Sequence, residues 1–426
     1  MSRTLPFLVL SALLFVVGEA RSQELTLNEV VRLALVRNER ARIAGLNVQV
    51  AEASLARARA GFMPSVTMTG SETLRPYTIE QNGRVTSRSN AANGTLSVNQ
   101  PILALAQFPL HASAKRGLEA ARYGQVDLRR QLCFDAVRAF FAVIAQQRLL
   151  KAAKGRLQRA ENSLADTHAR VQAQLVSSND ETRATVERAN SLQSVASAGA
   201  ALEQARINLE YILDSQIPAE LNPPAERLVP PSFNPSALAN QALAQRPDLA
   251  SARENAAAAS HSADEPGMRF VPTLNAQGQA RVSDQAIAGT QYWDTTVALN
   301  LTWQIWDAGT RNADTMSRRA AADTAELQVR ALKRKIQADV RAAAAQLAAA
   351  RAVLQAAEGG VEAANKSAEE TEVLYKQGLA KAIELFNSNQ SKFDAEVSLA
   401  AAQLGLRQAE LDMRAALGLF PIDGVQ

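Results

Sequence analysis

The side chains that most often catalyse reactions or hold metals are scattered in this chain. His111, His168 and His261 lie far apart, with no paired cysteine and no ligand spacing around any of them. They read as surface or helix-packing histidines. The single cysteine, Cys133, sits in the apolar run Leu132-Cys133-Phe134 and cannot form an internal disulfide; it reads as a buried structural thiol. No glycine-rich loop is placed to cradle a phosphate. Glu358-Gly359-Gly360 interrupts a heptad pattern and marks a bend or a close contact. Asp180 and Glu384 form no catalytic pair, but they are matched at an offset of 204 (384 less 180), each at the start of a helix. A carboxylate in a first helical turn is stabilised by the helix dipole, typically by about 0.3–1 kcal/mol. Catalysis, metal and cofactors are therefore not implied, and an exported enzyme is the weakest reading.

The helices that carry those carboxylates dominate the chain. Ala136, Val143, Leu150, Leu157, Leu164 and Val171 recur every seven residues, with Ala139, Ala153, Ala160 and Thr167 three places on. The same register returns at Val340, Leu347, Leu354, Val361, Ala368 and Tyr375. A sustained seven-residue apolar repeat is a coiled-coil seam, and the small residues beside it let neighbouring helices approach closely. Two copies in matching register imply a duplicated unit.

Composition bounds the partners. The chain has 426 residues, with 46 Lys+Arg against 42 Asp+Glu and a formal charge of +4. That balance, interspersed along helices, gives a solvated face and excludes a nucleic-acid surface. Residues 1–22 read as a signal peptide, from Arg3 through the apolar Leu5 to Val17, with cleavage after Ala20 or Ser22. No later run reaches the roughly 20 apolar residues of a membrane helix.

In chain order, the first repeat covers residues 23–217. A helix from Leu25 to about Ala60 ends at Pro64, a β-hairpin spans 64–101, and a long helical hairpin follows. A Pro-rich connector occupies 218–235. The second repeat, 236–426, again holds a helix, a β-hairpin over 272–304 and a long helical hairpin. In the second hairpin Trp293, Thr295, Val297, Leu299, Leu301 and Trp303 alternate with Asp294, Thr296, Ala298, Asn300 and Thr302. One apolar and one polar face over about ten residues suit a membrane β-barrel strand, although a soluble sandwich strand alternates too. Trp293 and Trp303 stand roughly 33 Å apart along a strand. Tilted, that is a height of about 25 Å, the spacing of two aromatic girdles, and the other face is wet enough for a lumen.

Four strands per chain cannot close a membrane barrel, which needs about eight, so several copies must share one. Helices from about Pro101 to Val176 and Asp307 to Gln377 extend roughly 100 Å at 1.5 Å per residue. The fold class is α+β: a protomer giving strands to a shared transmembrane barrel that coiled-coil helices continue.

The layout resembles the TolC-type outer membrane efflux protein family over essentially the whole mature chain. Leu25-Thr26-Leu27 with Ala34-Leu35, and Ala242-Leu243 with Arg246-Pro247-Asp248-Leu249, look like the openings of that family's two repeats. Ile305-Trp306-Asp307-Ala308-Gly309-Thr310-Arg311 is similar to its strand-to-helix passage. Arg170-Val171-Gln172-Ala173-Gln174-Leu175 and Tyr375-Lys376-Gln377-Gly378-Leu379 fall at its periplasmic helix turns. The resemblance implies a homotrimer with a twelve-stranded barrel over a periplasmic α-barrel, in outer-membrane lipid. It implies an exit duct for an efflux or type I secretion system, joined to a periplasmic adaptor (membrane fusion) protein. The inner-membrane pump would be of the resistance-nodulation-division or ATP-driven type. By the same resemblance Arg170, Gln174, Leu175, Tyr375, Gly378 and Leu379 belong to the adaptor-docking tips. Glu384, Asn387 and Asp180 belong to a pore constriction, and clustered carboxylates there would favour cations.

Three departures stand out. The first strand-to-helix passage, Pro101 to Pro109, lacks an Asp-Gly-Gly; Pro266-Gly267 interrupts a helix; and Gln174 stands where the first tip's glycine is expected. The rival reading is a soluble periplasmic coiled-coil scaffold without a barrel.

Overall fold

The computed structural model describes residues 25–81, 84–87, 89–224, 235–284 and 291–423. The leader expected over 1–22 lies outside them, as does most of the connector. Helix, strand and helix follow in the same order twice. The first half runs α1 (Leu27–Arg37), α2 (Glu39–Ala60), β1 (Ser65–Leu74), the short β2 (Ile79–Gln81) and β3 (Arg84–Ser87), β4 (Asn90–Leu103), α3 (Gln107–Gln172) and α4 (Ser178–Leu213). The second runs α5 (Pro235–Gln245), α6 (Pro247–Met268), β5 (Thr273–Ser283), β6 (Trp293–Thr302), α7 (Thr310–Lys376) and α8 (Ala382–Ala416).

Three local expectations need correction. The first helix is not continuous. Asn38 is extended, its side chain accepts from the Arg40 amide at 3.0 Å to cap α2, and its amide nitrogen donates to the Ile212 carbonyl at 2.9 Å. Pro266 does not interrupt α6, which continues to Met268. It sits in the last turn and cannot bond the Ser262 carbonyl, which accepts from Arg318 at 3.0 Å instead. Gly359 and Gly360 do not break α7 either, and among the described residues nothing beyond the adjoining helix backbone lies within 4 Å of where their Cβ atoms would stand. Both face outward.

The four long strands form one antiparallel sheet in the order β1-β4-β5-β6, and β2 and β3 pair with each other in a separate short hairpin. Helices continue it in the same order, since α2 packs on α3, α3 on α6 and α6 on α7. At the far end α4 packs on α3, α3 on α8 and α8 on α7. The protomer is thus a single wall, with strands at one end and helix turns at the other. Among the described residues the core lies midway, where Val30 and Val31 of α1, Phe140 of α3, Leu213 of α4, Val340 of α7 and Met413 of α8 are buried together. The heptad ridge of α7 is buried at Val340, Leu347, Ala368 and Tyr375, as a seam requires.

Beside that core two arginines close the end of α8. Arg130 donates to the Ala415 carbonyl at 3.0 Å and Arg246 to the Ala416 carbonyl at 3.4 Å. Cationic groups at a helix C-terminus satisfy free carbonyls and complement the dipole. Asp127 holds Arg130 at 2.6 Å, and Asp248 holds Arg246 at 2.6 Å. Gly418, at φ +80°, must be glycine twice over, because a Cβ there would come within 2.7 Å of Arg246. Burial pushes the Asp248 carboxyl up, but the Arg246 hydrogen bond and charge outweigh it and hold the group below its ordinary value. A depressed carboxylate stabilises the fold above its unfolded pKa, and that stability is lost as pH falls through the folded value. Asp248→Asn should therefore lower the melting temperature at pH 7 and flatten its decline below about pH 4, read by thermal melts across pH.

Candidate functional site

Three regions bear on function: the two faces of the sheet, the passages from strand to helix, and the tips. Across the sheet the ladders align Val66, Val98, Gly278 and Val297 in one row, and Met68, Leu96, Ala280 and Thr295 in the next that shares its face. The opposite face carries Thr67, Ser97, Gln279 and Thr296. Polar contacts knit it: Asn300 donates to Gln277 at 3.0 Å, and Arg281 to Asn93 at 3.1 Å. The apolar face is bare, with Val297 at 86% and Leu299 at 71% exposure. Such a face has no place in water at this size. Trp293 and Trp303 stand at its two ends, both exposed, and Trp303 donates its indole N–H to the Phe270 carbonyl at 3.0 Å. Trp306, exposed at 82%, lies past the strand and outside its two-residue alternation.

The two passages are held differently. In the second, Asp307 accepts from the Gly309 amide at 3.1 Å and from the Arg311 amide and guanidinium at 2.9 and 2.7 Å. Arg311 also donates to the Arg269 carbonyl and lies 4.2 Å over the Phe270 ring. The first passage lacks that aspartate, and α3 begins without a side-chain cap. Aromatic packing replaces it: Phe62 lies 5.0 Å from Phe108 and 6.1 Å from His111. Gln100 adds bonds to the Phe62 and Pro101 carbonyls.

At the tips, the two helix turns have one geometry. The Leu175 amide bonds the Arg170 carbonyl and the Gln174 amide the Val171 carbonyl, as Leu379 bonds Leu374 and Gly378 bonds Tyr375. This double bond pattern closes a helix through one left-handed residue. Gly378 takes it at φ +77° and Gln174 at +57°, so the missing glycine changes the strain and not the turn. Gln174→Gly should raise tip stability by about 1 kcal/mol. Slower amide exchange around residues 170–176 would show it.

The expected site residues divide at this point. Leu175 and Leu379 project, at 73% and 72% exposure, beside exposed Gln174 and Gly378. Tyr375, expected on a docking surface, is buried instead. The Thr167 hydroxyl already donates to the Ser163 carbonyl, so the Tyr375 hydroxyl, 3.3 Å away, donates to Thr167. Arg170 lies 4.5 Å over the Tyr375 ring and donates to the Tyr375 and Lys376 carbonyls, capping α7 from the neighbouring hairpin. Arg170 and Tyr375 thus join the two tips.

Glu384 is exposed and its carboxylate accepts from the Lys381 amide at 3.2 Å, the capping role its position requires. Asn387 is exposed one turn on. Asp180 is half-buried in a groove of about 300 Å³ between α4 and α8, floored by α3. Beneath it Arg156 grips Glu187 through two bonds of 2.8 and 3.1 Å, with the Ser191 hydroxyl on the same carboxylate and Phe393 4.8 Å from the guanidinium. The chain gave no sign of this pair beyond a charged residue falling inside the small-residue seam at Ala153 and Ala160.

The Cys133 thiol is buried, and burial pushes its pKa up to about 12. Among the described residues no cluster of His, Cys, Asp or Glu is arranged to hold a metal, and no helix is long and apolar enough to cross a membrane.

Residues 238–419 match the model of the family described as outer membrane efflux protein. No curated protein matches the sequence. The fold is shared with solved structures over nearly all of the chain. CusC, solved in a study of its folding and transmembrane channel formation, superposes with a TM-score of 0.82 at 16% identity, covering 93% of both chains. The CmeC outer membrane channel of Campylobacter jejuni gives 0.82 at 17% identity, covering 92% of this chain and 85% of its own. The outer membrane protein VceC of Vibrio cholerae gives 0.80 at 16%, covering 94% and 98%. The matched family is one of outer membrane efflux proteins; among the neighbours CmeC is an outer membrane channel, VceC an outer membrane protein, and CusC forms a transmembrane channel. The resemblance to the TolC-type proteins therefore holds, in sequence over the second half and in fold over nearly the whole chain.

Proposed function

We propose that this chain, carrying the efflux family's sequence in its second half and the channel fold throughout, is an outer-membrane exit duct. Three copies would form a twelve-stranded barrel continued by a periplasmic α-barrel. The duct would be passive, moving substrate delivered by a periplasmic adaptor and an inner-membrane pump of the resistance-nodulation-division or ATP-driven type. Its units would be two tandem repeats, 23–217 and 236–426, joined by the connector 218–235 after a leader over 1–22.

The observation that carries this reading is one edge on each side of the wall, running its length, that has no partner among the described residues. On one side lie β1, α2 and α4; on the other lie β6 and α7. Both helical edges present a second apolar stripe to solvent. On α2 it is Ile43, Leu46 and Val50; on α4 it is Val186, Ile207 and Tyr211, the last exposed at 80%. On α7 it runs from Met316 and Leu327 to Val353, with exposed Ala349, Ala356 and Gly360 at the same helical spacing. An open sheet edge in lipid leaves its amides and carbonyls without partners, so a membrane sheet must close. A second copy supplies the complementary edge, and the outward glycines of α7 then allow close helix approach.

Within that assembly Gln174, Leu175, Gly378 and Leu379 would meet the adaptor, with Arg170 and Tyr375 holding the two tips in register behind them. Glu384 and Asn387 would line the constriction, and Asp180 would brace α4 against α8. Trp293 and Trp303 would mark the two membrane interfaces.

Planar-bilayer recording tests the channel and the constriction together. The purified protein should conduct, and Glu384→Ala should reduce cation selectivity while costing no more stability than its cap supplies, about 0.3–1 kcal/mol. Asp180→Ala should lower stability and leave selectivity unchanged. A protein that never conducts would defeat the duct. A Glu384→Ala variant with unaltered selectivity and lower stability would reduce that residue to a cap.

A further inference from the structure

The trimer is part of the proposed function, and the following rests on it, but how its three sheets join is a separate question that the strand register answers. Straight across the sheet, Gly70 is level with Gly94, Val282 and Trp293, and Ser65 is level with Asn99, Gln277 and Ala298. The two edge strands, β1 and β6, have ten residues each. They do not start level. β1 runs four residues beyond the Trp293 row, from Gly70 to Leu74, and β6 runs four residues below the Ser65 row, from Ala298 to Thr302.

We infer that β6 of one protomer joins β1 of the next with a displacement of four residues, which makes the two edges flush. Trp293 then lies opposite Leu74 of the next copy, Leu299 opposite Met68, Ala298 opposite Thr69 and Thr302 opposite Ser65. All ten residues of each edge find a partner. The displacement is even, so the apolar face meets an apolar face and the wet face a wet one; an odd value would turn every side chain to the wrong side.

Barrel geometry narrows the choice further. Three junctions of four residues displace the strand by twelve residues in one circuit of twelve strands. With a rise of about 3.3 Å and a strand spacing of about 4.8 Å, the strands tilt by roughly 35°. A displacement of two gives a tilt of roughly 19°, below the range of about 35–45° that membrane barrels adopt. A displacement of six gives about 46°. It leaves two residues unpaired at an end of each edge and puts the Glu72 carboxylate, which shares the apolar face, opposite Val297 in the middle of the band. At four, Glu72 lies opposite Thr295, one step nearer the Trp293 end.

Cysteine pairs read the register directly. In the full-length chain carrying Cys133→Ser, Ala298→Cys is combined in turn with Thr67→Cys, Thr69→Cys or Ser71→Cys. Outer membranes are oxidised with copper phenanthroline and run on non-reducing gels. Directly opposite residues come within disulfide reach, whereas a partner two residues along lies beyond about 7 Å. The Thr69→Cys pair should give covalent trimer with at least tenfold the yield of the other two. Dominant cross-linking of the Ser71→Cys or Thr67→Cys pair would overturn the register while leaving the trimer standing. A control pair inside one sheet, Ser97→Cys with Gln279→Cys, are direct partners. Its cross-linking without any product from the three test pairs would overturn both the register and the shared barrel.

Discussion

Leu299→Arg is expected to abolish assembly in the outer membrane, while Asn300→Arg, one residue along the same strand, is tolerated. Leu299 stands on the bare apolar face near the middle of β6, and Asn300 points to the face where it bonds Gln277. A cation facing lipid at the midplane costs roughly 2–4 kcal/mol, and a lumen-facing substitution largely escapes that cost. In a trimer the penalty is incurred three times. Heat-modifiable trimer recovered from outer membranes measures the difference. Equal recovery of the two variants would mean that the apolar face does not meet lipid.

The second large effect belongs to the tip. Glu187→Ala should lower stability by about 3–5 kcal/mol, because it leaves the buried Arg156 guanidinium without its counter-ion. The side chains of the pair are only 9% and 13% exposed, and Ser191 and Phe393 complete the enclosure. Replacing both members, as Arg156→Met with Glu187→Leu, should restore most of the loss, since a well-packed apolar pair of similar volume avoids the desolvation. Melting curves of the single and double variants separate an orphaned charge from a general packing defect. If the double variant is no better than Glu187→Ala, the loss is one of packing.

Much of this fold was legible because membrane strands and long seams obey simple periods. The two-residue alternation at Trp293 to Trp303 placed β6 and both of its faces, and the seven-residue repeat placed α3 and α7. Where the outcome turned on a single residue's partners, the period carried no information. Asn38 breaks the first helix because its side chain has Ile212 and Arg40 to bond. Pro266 is tolerated because Arg318 takes the Ser262 carbonyl that the proline cannot bond. Gln174 keeps a glycine's turn because the bonds around it fix the left-handed conformation. The tips were harder still. Tyr375 follows its heptad into the seam, and the same side chain cannot also face an adaptor. The Arg156–Glu187 pair joins residues of two helices across a turn, a contact that spacing within either helix does not reveal.

The edges of the wall decide between a duct and a free-standing scaffold. Native mass spectrometry of protein extracted from outer membranes in mild detergent counts the chains that share those edges. A shared barrel requires a single species of three times the protomer mass that loses solubility when detergent is removed. A monodisperse monomer that remains soluble in buffer without detergent would contradict it.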